Sequence, residues 1–425
     1  MKQLAWLVIA AALPLLAGGQ PARGPLSLAF GGLCQDYLEA CGCGGHNAGG
    51  LARRGAILAD WRAKTPGTKV VIEAGDLGQR EDRLPVTARC LARLGVDVVA
   101  LSAQDVDDWT KLGPVLGAHL LAATCLVPPA GEPAVSAAQV IETGGWKVGV
   151  LSATPGRLVD PDLQDALGAG VARLRADGCD LAVLVSHLGS EVTASLLSRL
   201  PAERRPGVVL LATDSDFTEP PAERDGVLWL SQARRARSVA FFVVANDGQR
   251  QARAMLVEDG PHDAVIDAWV DDYYRRVRDG ESTASPTAAQ VAFARPASCV
   301  ECHGRAVTAW RSHAHAQAVT TLEQRGRDVA GCMGCHDETF RRAGVRPPAG
   351  GDRGVQCATC HDGLEAHLKS PRNVKPKARG KAGCESCHTT ENSPHWDYSK
   401  YRASVLGACQ GRPQARLTAP AAPRG

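Results

Sequence analysis

The sequence predicts an α/β layered domain followed by a mostly helical and irregular domain, and two observations support this prediction. Residues 24–279 alternate short apolar runs with stretches whose apolar residues recur at helical spacing, which is typical of strands and helices packed in layers. Residues 297–410 have few strand-like runs but hold eight of the 15 cysteines in a motif repeated four times. A chain of 425 residues is also long enough for two domains.

The chain opens with a segment typical of an export signal. Lys2 precedes the apolar run LAWLVIAAALPLLA, and small residues follow it. The run is too short to cross a bilayer comfortably, and no later stretch is as apolar. We therefore predict a signal peptide over residues 1–23, no other membrane span, and a periplasmic or otherwise exported protein. An uncleaved anchor is the alternative.

Six apolar runs are predicted as strands, and several of them are near-continuous runs of β-branched residues, as expected for strands buried on both faces. They cover residues 26–30, 69–75, 96–102, 146–153, 180–187 and 207–213, and two later strands are predicted at 227–232 and 237–246. Helical spacing is found at 50–64 and 84–95, and a helix over 262–280 is predicted to close the domain. Residues 280–296 are predicted to be a linker, and 411–425 a disordered tail.

The repeated motif is Cys-x-x-Cys-His, the attachment signature of c-type haem. Two thiols three residues apart can each bond to the same porphyrin edge, and the adjacent histidine can bind the iron. The four copies comprise Cys299, Cys302 and His303; Cys332, Cys335 and His336; Cys357, Cys360 and His361; and Cys384, Cys387 and His388. Zinc ribbons are the alternative, but they need no histidine after every second cysteine. We therefore expect four covalent haems c.

Charge and core size agree with this interpretation. From Pro296 onward the chain has 19 Lys and Arg against 11 Asp and Glu, whereas the remainder has 29 against 34. Haem propionates would offset much of this basic excess, so we expect redox proteins rather than nucleic acid as partners. Four porphyrins would also supply the apolar core that this segment's side chains cannot build.

Four further histidines, His313, His315, His367 and His395, are candidates for the sixth iron ligands. Methionine ligation is nearly excluded, because Met333 is the only methionine of this domain and lies inside a motif. Ligation by two histidines is therefore expected. Residues two apart on a helix point to different faces, so His313 and His315 are not expected to bind together, and one haem would then be five-coordinate.

The segments CVECHGRAVTAWRSHAHAQAVTTL, CMGCH, GVQCATCHDGLEAHL and CESCHTTENSPHWDY resemble the tetrahaem cytochromes of the hydroxylamine-oxidation pathway, of the cytochrome c554 type. The resemblance covers about residues 296–401. It implies that His315, aligned through Trp310, and His367 are axial ligands. Relatives carry an acidic or neutral residue at the position of His395, so the fourth distal ligand stays open, and His313 is either a ligand or a solvated helix residue.

The N-terminal segment YLEACGCGGHNAGGLARRGAILADWRAKTPGTKVVIEAGD is similar to the opening of the metallophosphoesterase domain of 5′-nucleotidases. The similarity continues through LGVDVVALSAQDVDDW and DLAVLVSHLGSE, and it implies a metallophosphoesterase-like α/β sandwich. Members of that family hold two divalent metals between Asp, His and Asn side chains at strand ends. Here Asp76 and His187 keep ligand positions, whereas Leu33, Gln35, Ala103, Gln104 and the TDSD of 213–216 stand where ligands are lost. We therefore expect a degenerate site without hydrolase activity.

Seven cysteines lie outside the haem motifs. Cys34, Cys41, Cys43 and His46 fall near the expected position of Asp76 and His187, where they could bind zinc or copper. Disulfide bonds in an oxidising compartment and unpaired thiols are the alternatives. Cys90 and Cys179 lie in apolar stretches and are predicted to be small buried residues.

Three functions follow, in decreasing order of preference. The first is electron transfer by an exported tetrahaem cytochrome with a degenerate phosphoesterase-like domain, a carrier rather than an enzyme. The second is an oxidoreductase that acts on a small nitrogen or sulfur compound at a five-coordinate haem. The third is a redox-linked metallophosphoesterase.

Overall fold

The computed structural model describes residues 7–9, 23–40, 48–120, 123–156, 162–281, 293, 295–346, 350–389, 392–393 and 396–412. These residues form two compact units, one reaching Val270 and the other beginning at Asp271. The division falls nine residues before the predicted domain end at 279. The predicted linker, 280–296, lies mostly outside the described residues, so the domain bounds stay predictions.

The first unit contains two β-sheets. Its strands are β1 (Leu7–Ile9), β2 (Leu26–Gly31), β3 (Thr68–Glu73), β4 (Val98–Ala100), β5 (Ala123–Thr124), β6 (Val135–Ser136), β7 (Gln139–Thr143), β8 (Trp146–Ala153), β9 (Leu181–Ser186), β10 (Val208–Ala212), β11 (Ala222–Arg224), β12 (Val227–Gln232), β13 (Ser238–Val244) and β14 (Arg250–Leu256). One sheet has the order β1-β14-β13-β2-β3-β4-β5-β6 and the other β11-β12-β10-β9-β8-β7. All eight strands predicted from the sequence are present.

Part of each sheet is parallel: β2 to β6 in the first, and β8, β9, β10 and β12 in the second. Parallel strands end at the same edge of a sheet, so the residues that follow β2, β3 and β4 are brought together, as are those after β9, β10 and β12. The sequence-predicted phosphoesterase positions lie at these strand ends.

The helices of the first unit cover the outer faces of the sheets. They are α1 (Leu51–Lys64), α2 (Leu84–Arg93), α3 (Ala103–Asp107), α4 (Trp109–Gly117), α5 (Asp162–Ala176), α6 (Ser190–Ser198) and α7 (Ala264–Gly280), with a 3₁₀ turn at Ala202–Arg204. Leu28 of the first sheet and Val183 of the second share one buried apolar core, so the sheets pack face to face. The predicted layered α/β sandwich is thus confirmed.

The second unit is mostly helical. It contains the C-terminal part of α7 and a 3₁₀ turn at Pro296–Cys299. Its other elements are α8 (Val300–Arg311), α9 (Ala318–Glu323), α10 (Ala330–His336), α11 (Glu338–Ala343), α12 (Cys357–Cys360), β15 (His361–Asp362), α13 (Leu364–Lys369), β16 (Lys377–Ala378), α14 (Gly380–Glu385) and α15 (Tyr398–Cys409). Its described apolar cluster contains only Phe293, Ala358 and Leu364, with Cys357 beside them. Within the described ranges, no helix of the chain is both long and apolar enough to cross a bilayer.

Candidate functional site

The four Cys-x-x-Cys-His motifs lie on short helical turns. The first spans the 3₁₀ turn and the start of α8, the second lies in α10, the third forms α12, and the fourth begins in α14. One helical turn brings residues i and i+3 to the same side. Each motif therefore presents two thiols in the arrangement that attachment to one porphyrin edge needs.

The motifs meet in two pairs. Cys299, in the first motif, lies beside Cys357 of the third motif, close enough for the two thiols to interact. Cys387, in the fourth motif, lies beside Cys335 of the second motif in the same way. Groups attached at these sulfurs would be immediate neighbours, which is what the passage of electrons between them requires.

Three histidines are oriented through their Nδ1 atoms. His336 Nδ1 lies 2.9 Å from the carbonyl oxygen of Ala318, and His367 Nδ1 lies 2.7 Å from that of Val374. A carbonyl oxygen only accepts, so in both rings Nδ1 carries the proton and Nε2 keeps its lone pair. His388 Nδ1 lies 3.0 Å from Ser393 Oγ. Such Nδ1 contacts are typical of histidines that bind a metal through Nε2.

Two histidine pairs have the spacing of ligands that share one iron. The ring centroids of His303 and His367 are 6.2 Å apart, and those of His388 and His315 are 6.1 Å apart. Two imidazoles bound to one iron from opposite faces have centroids roughly 6 Å apart, since each metal–nitrogen bond is about 2 Å and the centroid lies about 1 Å farther. The donors of these two pairs therefore fit haem.

His315 is held in the neutral form that a metal ligand needs. Its burial, together with the neighbouring His313, His388 and His336, lowers the pKa of His315 to about 4. Iron binds the unprotonated imidazole nitrogen, so no proton has to be displaced at neutral pH.

His313 is already engaged on both sides of its ring. Its Nδ1 accepts the backbone N–H of His315 at 3.2 Å, and its Nε2 lies 3.5 Å from Ser404 Oγ. An accepting Nδ1 puts the proton on Nε2, which then has no lone pair for a metal. The residue as a whole is 5% exposed, so His313 is also not the solvated histidine considered from the sequence.

The remaining two motif histidines, His336 and His361, have no distal histidine facing them among the described residues. His395 lies outside the described residues, and its role as a distal ligand stays a prediction. Met333, buried in α10, is the only methionine of the unit.

A buried carboxylate that the sequence analysis did not single out connects two motifs. Glu338 directly follows the second motif's His-Asp, and its fully buried side chain accepts hydrogen bonds from Arg341, Arg342 and Thr359. Burial opposes its ionisation, but these hydrogen bonds hold the pKa of Glu338 below its usual value. Thr359 lies between the two cysteines of the third motif, so this contact ties the second motif to the third. The sequence signal for this cluster is the Glu-x-x-Arg-Arg spacing after the second motif, because residues three and four apart on a helix lie side by side and can form ion pairs.

The two retained phosphoesterase positions follow strands of different sheets, and Asp105 is a charged neighbour of both. Asp76 follows β3, and its Oδ2 accepts a hydrogen bond from Gln35 Nε2 at 2.6 Å. Burial is the main cause that raises the pKa of Asp76 to about 6. His187 follows β9, its Nε2 is buried without a hydrogen-bond partner, and burial lowers its pKa. Within the described residues, no group of three or more His, Cys, Asp or Glu side chains is arranged to hold a metal.

The other predicted ligand positions hold side chains with different partners. Leu33 is buried, and Ala103 and Gln104 begin α3, where Gln104 donates to Asp108. In the segment 213–216, Asp214 and Asp216 form ion pairs with Arg234, and Asp216 also pairs with Arg237 at 2.7 Å. Guanidinium groups thus lie against the carboxylates that follow β10.

Cys34 is placed in the interior of the first unit. Its Sγ lies 3.5 Å from Glu73 Oε1 and 4.0 Å from Arg54, and these two side chains form a buried ion pair. Burial and the Glu73 carboxylate raise the pKa of the Cys34 thiol well above its usual value. A neutral buried thiol is a poor metal ligand. Cys41, Cys43 and His46 lie outside the described residues, and a zinc or copper site there stays a prediction.

The two cysteines predicted to be small buried residues differ. Cys90 is buried in α2, as predicted. Cys179 follows the turn that ends α5, where it is partly exposed and packs against the apolar cluster of the second sheet.

Comparison with known protein families finds a match for part of the second unit. Residues 298–362 match the family of cytochrome c554 and c-prime. The match contains the first three motifs, and it confirms the resemblance for this region. It implies haem c and an electron-transfer role with redox partners.

Solved structures match the first unit. Thermus thermophilus sulfate thiohydrolase SoxB is 16% identical over 63% of this chain and 63% of its own, with a TM-score of 0.50. Haemophilus influenzae NAD nucleotidase is 14% identical over 62% and 63%, and the calcineurin-like phosphoesterase YfkN of Bacillus subtilis is 10% identical over 60% and 98%, each with a TM-score of 0.48. The chain thus spans less than two thirds of SoxB, and the likeness shows a shared phosphoesterase-type fold. No curated protein sequence matches the chain.

Proposed function

We propose that this chain is an exported, periplasmic electron-transfer protein that carries four covalent haems c. The observation that carries the proposal is the pairing of His303 with His367 and of His388 with His315 at centroid distances of 6.2 and 6.1 Å. These residues are far apart in sequence, and each pair joins one motif histidine to one histidine outside the motifs. Bound haem supplies one-electron chemistry at iron.

The chain's own residues perform three tasks in this proposal. The eight motif cysteines attach the groups, and the contacts of Cys299 with Cys357 and of Cys335 with Cys387 keep the attachment points adjacent. Ala318, Val374 and Ser393 orient three ring Nδ1 atoms, so Nε2 is presented to iron. Two histidines on one iron favour a lower potential than a histidine and a methionine.

The first unit is proposed to be catalytically inactive. Of the positions that hold metals in phosphoesterases, only Asp76 and His187 keep a ligand side chain, and Asp76 is already hydrogen-bonded to Gln35. Arg234 and Arg237 occupy the neighbourhood of the last ligand positions as cations paired with Asp214 and Asp216. These donors do not fit a pair of divalent metals, so a scaffolding or docking role is the better assignment.

The test is the haem content of full-length protein produced with a c-type haem maturation system in the periplasm. We expect four covalent haems per chain by mass spectrometry and by pyridine haemochrome absorbance. Replacing both cysteines of any one motif by serine should remove one haem, whereas the control Cys90→Ser should remove none. Fewer than four haems in the wild type would contradict the proposal. Phosphate ester hydrolysis with added manganese that Asp76→Ala abolishes would contradict the inactive first unit.

A second candidate function is favoured by the engagement of His313. Because His313 Nδ1 accepts the backbone N–H of His315, only His395 remains as a distal histidine for the motifs of His336 and His361. At least one iron would then lack a histidine or methionine as its sixth ligand, and a small nitrogen or sulfur compound could be oxidised or reduced there. Steady turnover of hydroxylamine, nitrite or sulfite would favour this function over simple transfer.

A further inference from the structure

The segment between the third and fourth motifs is strongly basic. Residues 369–381 contain six Lys and Arg and no Asp or Glu. All six side chains are exposed: Lys369, Arg372, Lys375, Lys377, Arg379 and Lys381. Arg379 pairs with Asp362 and Lys381 with Glu385. Within the described residues, the side chains of Lys369, Arg372 and Lys375 have no hydrogen-bond or salt-bridge partner, and Lys377 has Asp362 as a charged neighbour without a salt bridge.

This basic segment is attached directly to two axial-ligand histidines. The carbonyl oxygen of Val374 lies 2.7 Å from Nδ1 of His367. In β16, Ala378 is paired with His361 of β15, and the N–H of Arg379 donates to the carbonyl oxygen of Cys360. The cations therefore lie on backbone that holds His367 and the third motif in place. Leu368, next to His367, is 41% exposed.

We propose that the basic segment 369–381 is the docking surface for an acidic one-electron carrier protein. The inference rests on the proposed electron-transfer function, and it specifies the redox partner as a protein with an acidic surface. Four exposed cations without a salt bridge attract an acidic face over a distance of about 10 Å at moderate salt and raise the association rate. The exposed Leu368 can form an apolar contact with the partner, and small transient interfaces combine such apolar contacts with charged residues around them.

Two other anionic partners fit the segment less well. It contains no aromatic residue on which nucleic-acid bases would stack. Basic segments that bind anionic lipid usually flank a membrane helix or lie on an amphipathic one, whereas this segment is held by strand pairing and by the contact with His367.

The test compares two variants of the haem-loaded full-length protein that lose the same charge. The docking variant replaces Lys369, Arg372, Lys375 and Lys377 by glutamine. The control variant replaces Arg305, Arg325, Lys400 and Arg402 by glutamine, which are exposed residues of the same unit. The probe is fully reduced flavodoxin, an acidic carrier protein whose flavin hydroquinone anion gives one electron to ferric iron and becomes the neutral semiquinone. Stopped-flow spectroscopy measures the second-order rate at increasing salt.

We expect the docking variant to be reduced at least tenfold more slowly than wild type at low salt, and the difference to vanish at high salt. The control variant should stay within about threefold of wild type. Equal slowing of both variants, or none in the docking variant, would overturn the proposal. So would loss of binding to phosphatidylglycerol vesicles without a change in the flavodoxin rate, because the segment would then serve a lipid surface.

Two controls separate failure of this inference from failure of the proposed function. Neutral lumiflavin semiquinone should reduce all three proteins at the same rate, because it carries no charge. Failure of the wild type to take up four haems or to accept electrons from lumiflavin would contradict the proposed function itself. The single variants Lys375→Gln and Lys369→Gln should each show part of the effect if the fourfold variant loads haem incompletely, and unchanged rates in both would overturn the docking surface.

Discussion

Replacing His315 by alanine is predicted to remove the sixth ligand from one iron. The ring of His315 lies 6.1 Å from that of His388, the spacing of two ligands on one iron. Without the imidazole, the iron bound by His388 keeps five ligands and changes from low to high spin. His313 cannot replace His315, because its Nδ1 accepts a backbone N–H and its Nε2 is close to Ser404.

The structure sets the size of the expected change. With four haems, the pairs of His303 with His367 and His388 with His315 account for two low-spin irons. His336 and His361 have only His395 left to share, so the wild type is expected to hold at least one high-spin iron per chain. His315→Ala should add one more, giving at least two of four.

The assay is quantitative electron paramagnetic resonance of the oxidised protein, with the high-spin signal integrated against haem content. Imidazole added to His315→Ala should restore one low-spin iron, since it can occupy the vacated position. The matched control is His313→Ala, which should add no full high-spin iron. It should lower the free energy of unfolding by about 1–3 kcal/mol, because the N–H of His315 loses its acceptor. An unchanged high-spin fraction in His315→Ala would refute the assignment.

Three further predictions follow from the described contacts. Asp216→Asn should lower the free energy of unfolding of the first unit by about 1–3 kcal/mol at pH 7, because Arg234 and Arg237 lose a part-buried carboxylate partner. Burial opposes ionisation of Asp216, but Arg234 and Arg237 lower its pKa below the unfolded value. The stabilisation from the ionised Asp216 is therefore present above about pH 4 and lost at lower pH. Urea unfolding curves of the wild type and the variant should converge in acid. Thr359→Val should lower the free energy of unfolding of the haem-loaded protein by about 1–3 kcal/mol, because Glu338 loses a hydrogen-bond donor and the N–H of Gln356 loses an acceptor. An unchanged melting temperature would argue against the contact between the second and third motifs. Cys34 should resist alkylation by iodoacetamide in the folded protein and react fully in denaturant, because its thiol is buried and its pKa is raised. Labelling is measured by mass spectrometry, and labelling of Cys34 in the native state would contradict its interior position.

The sequence by itself determined eight strands of the first unit and the attachment residues, whereas it did not predict β1, β5, β6, β7, β11 and β14. β8 and β12 begin and end where the apolar runs do, because strands buried on both faces need apolar residues throughout their length. The haem motifs were equally readable, since their chemistry needs two cysteines and a histidine within five consecutive residues. The phosphoesterase-type fold was visible through local similarity at strand ends.

Only the tertiary structure decided which distant side chains meet. His303 and His367 are 64 positions apart, and no local pattern relates them. His313 and His315 have the same residue type and nearly the same position, yet one accepts a backbone N–H and the other faces His388. Cys34, read from the sequence as a metal or disulfide residue, faces Glu73 and Arg54. For the two histidine pairs and for Cys34, the partner comes from a distant part of the chain, and packing, not sequence spacing, sets the direction of the side chain.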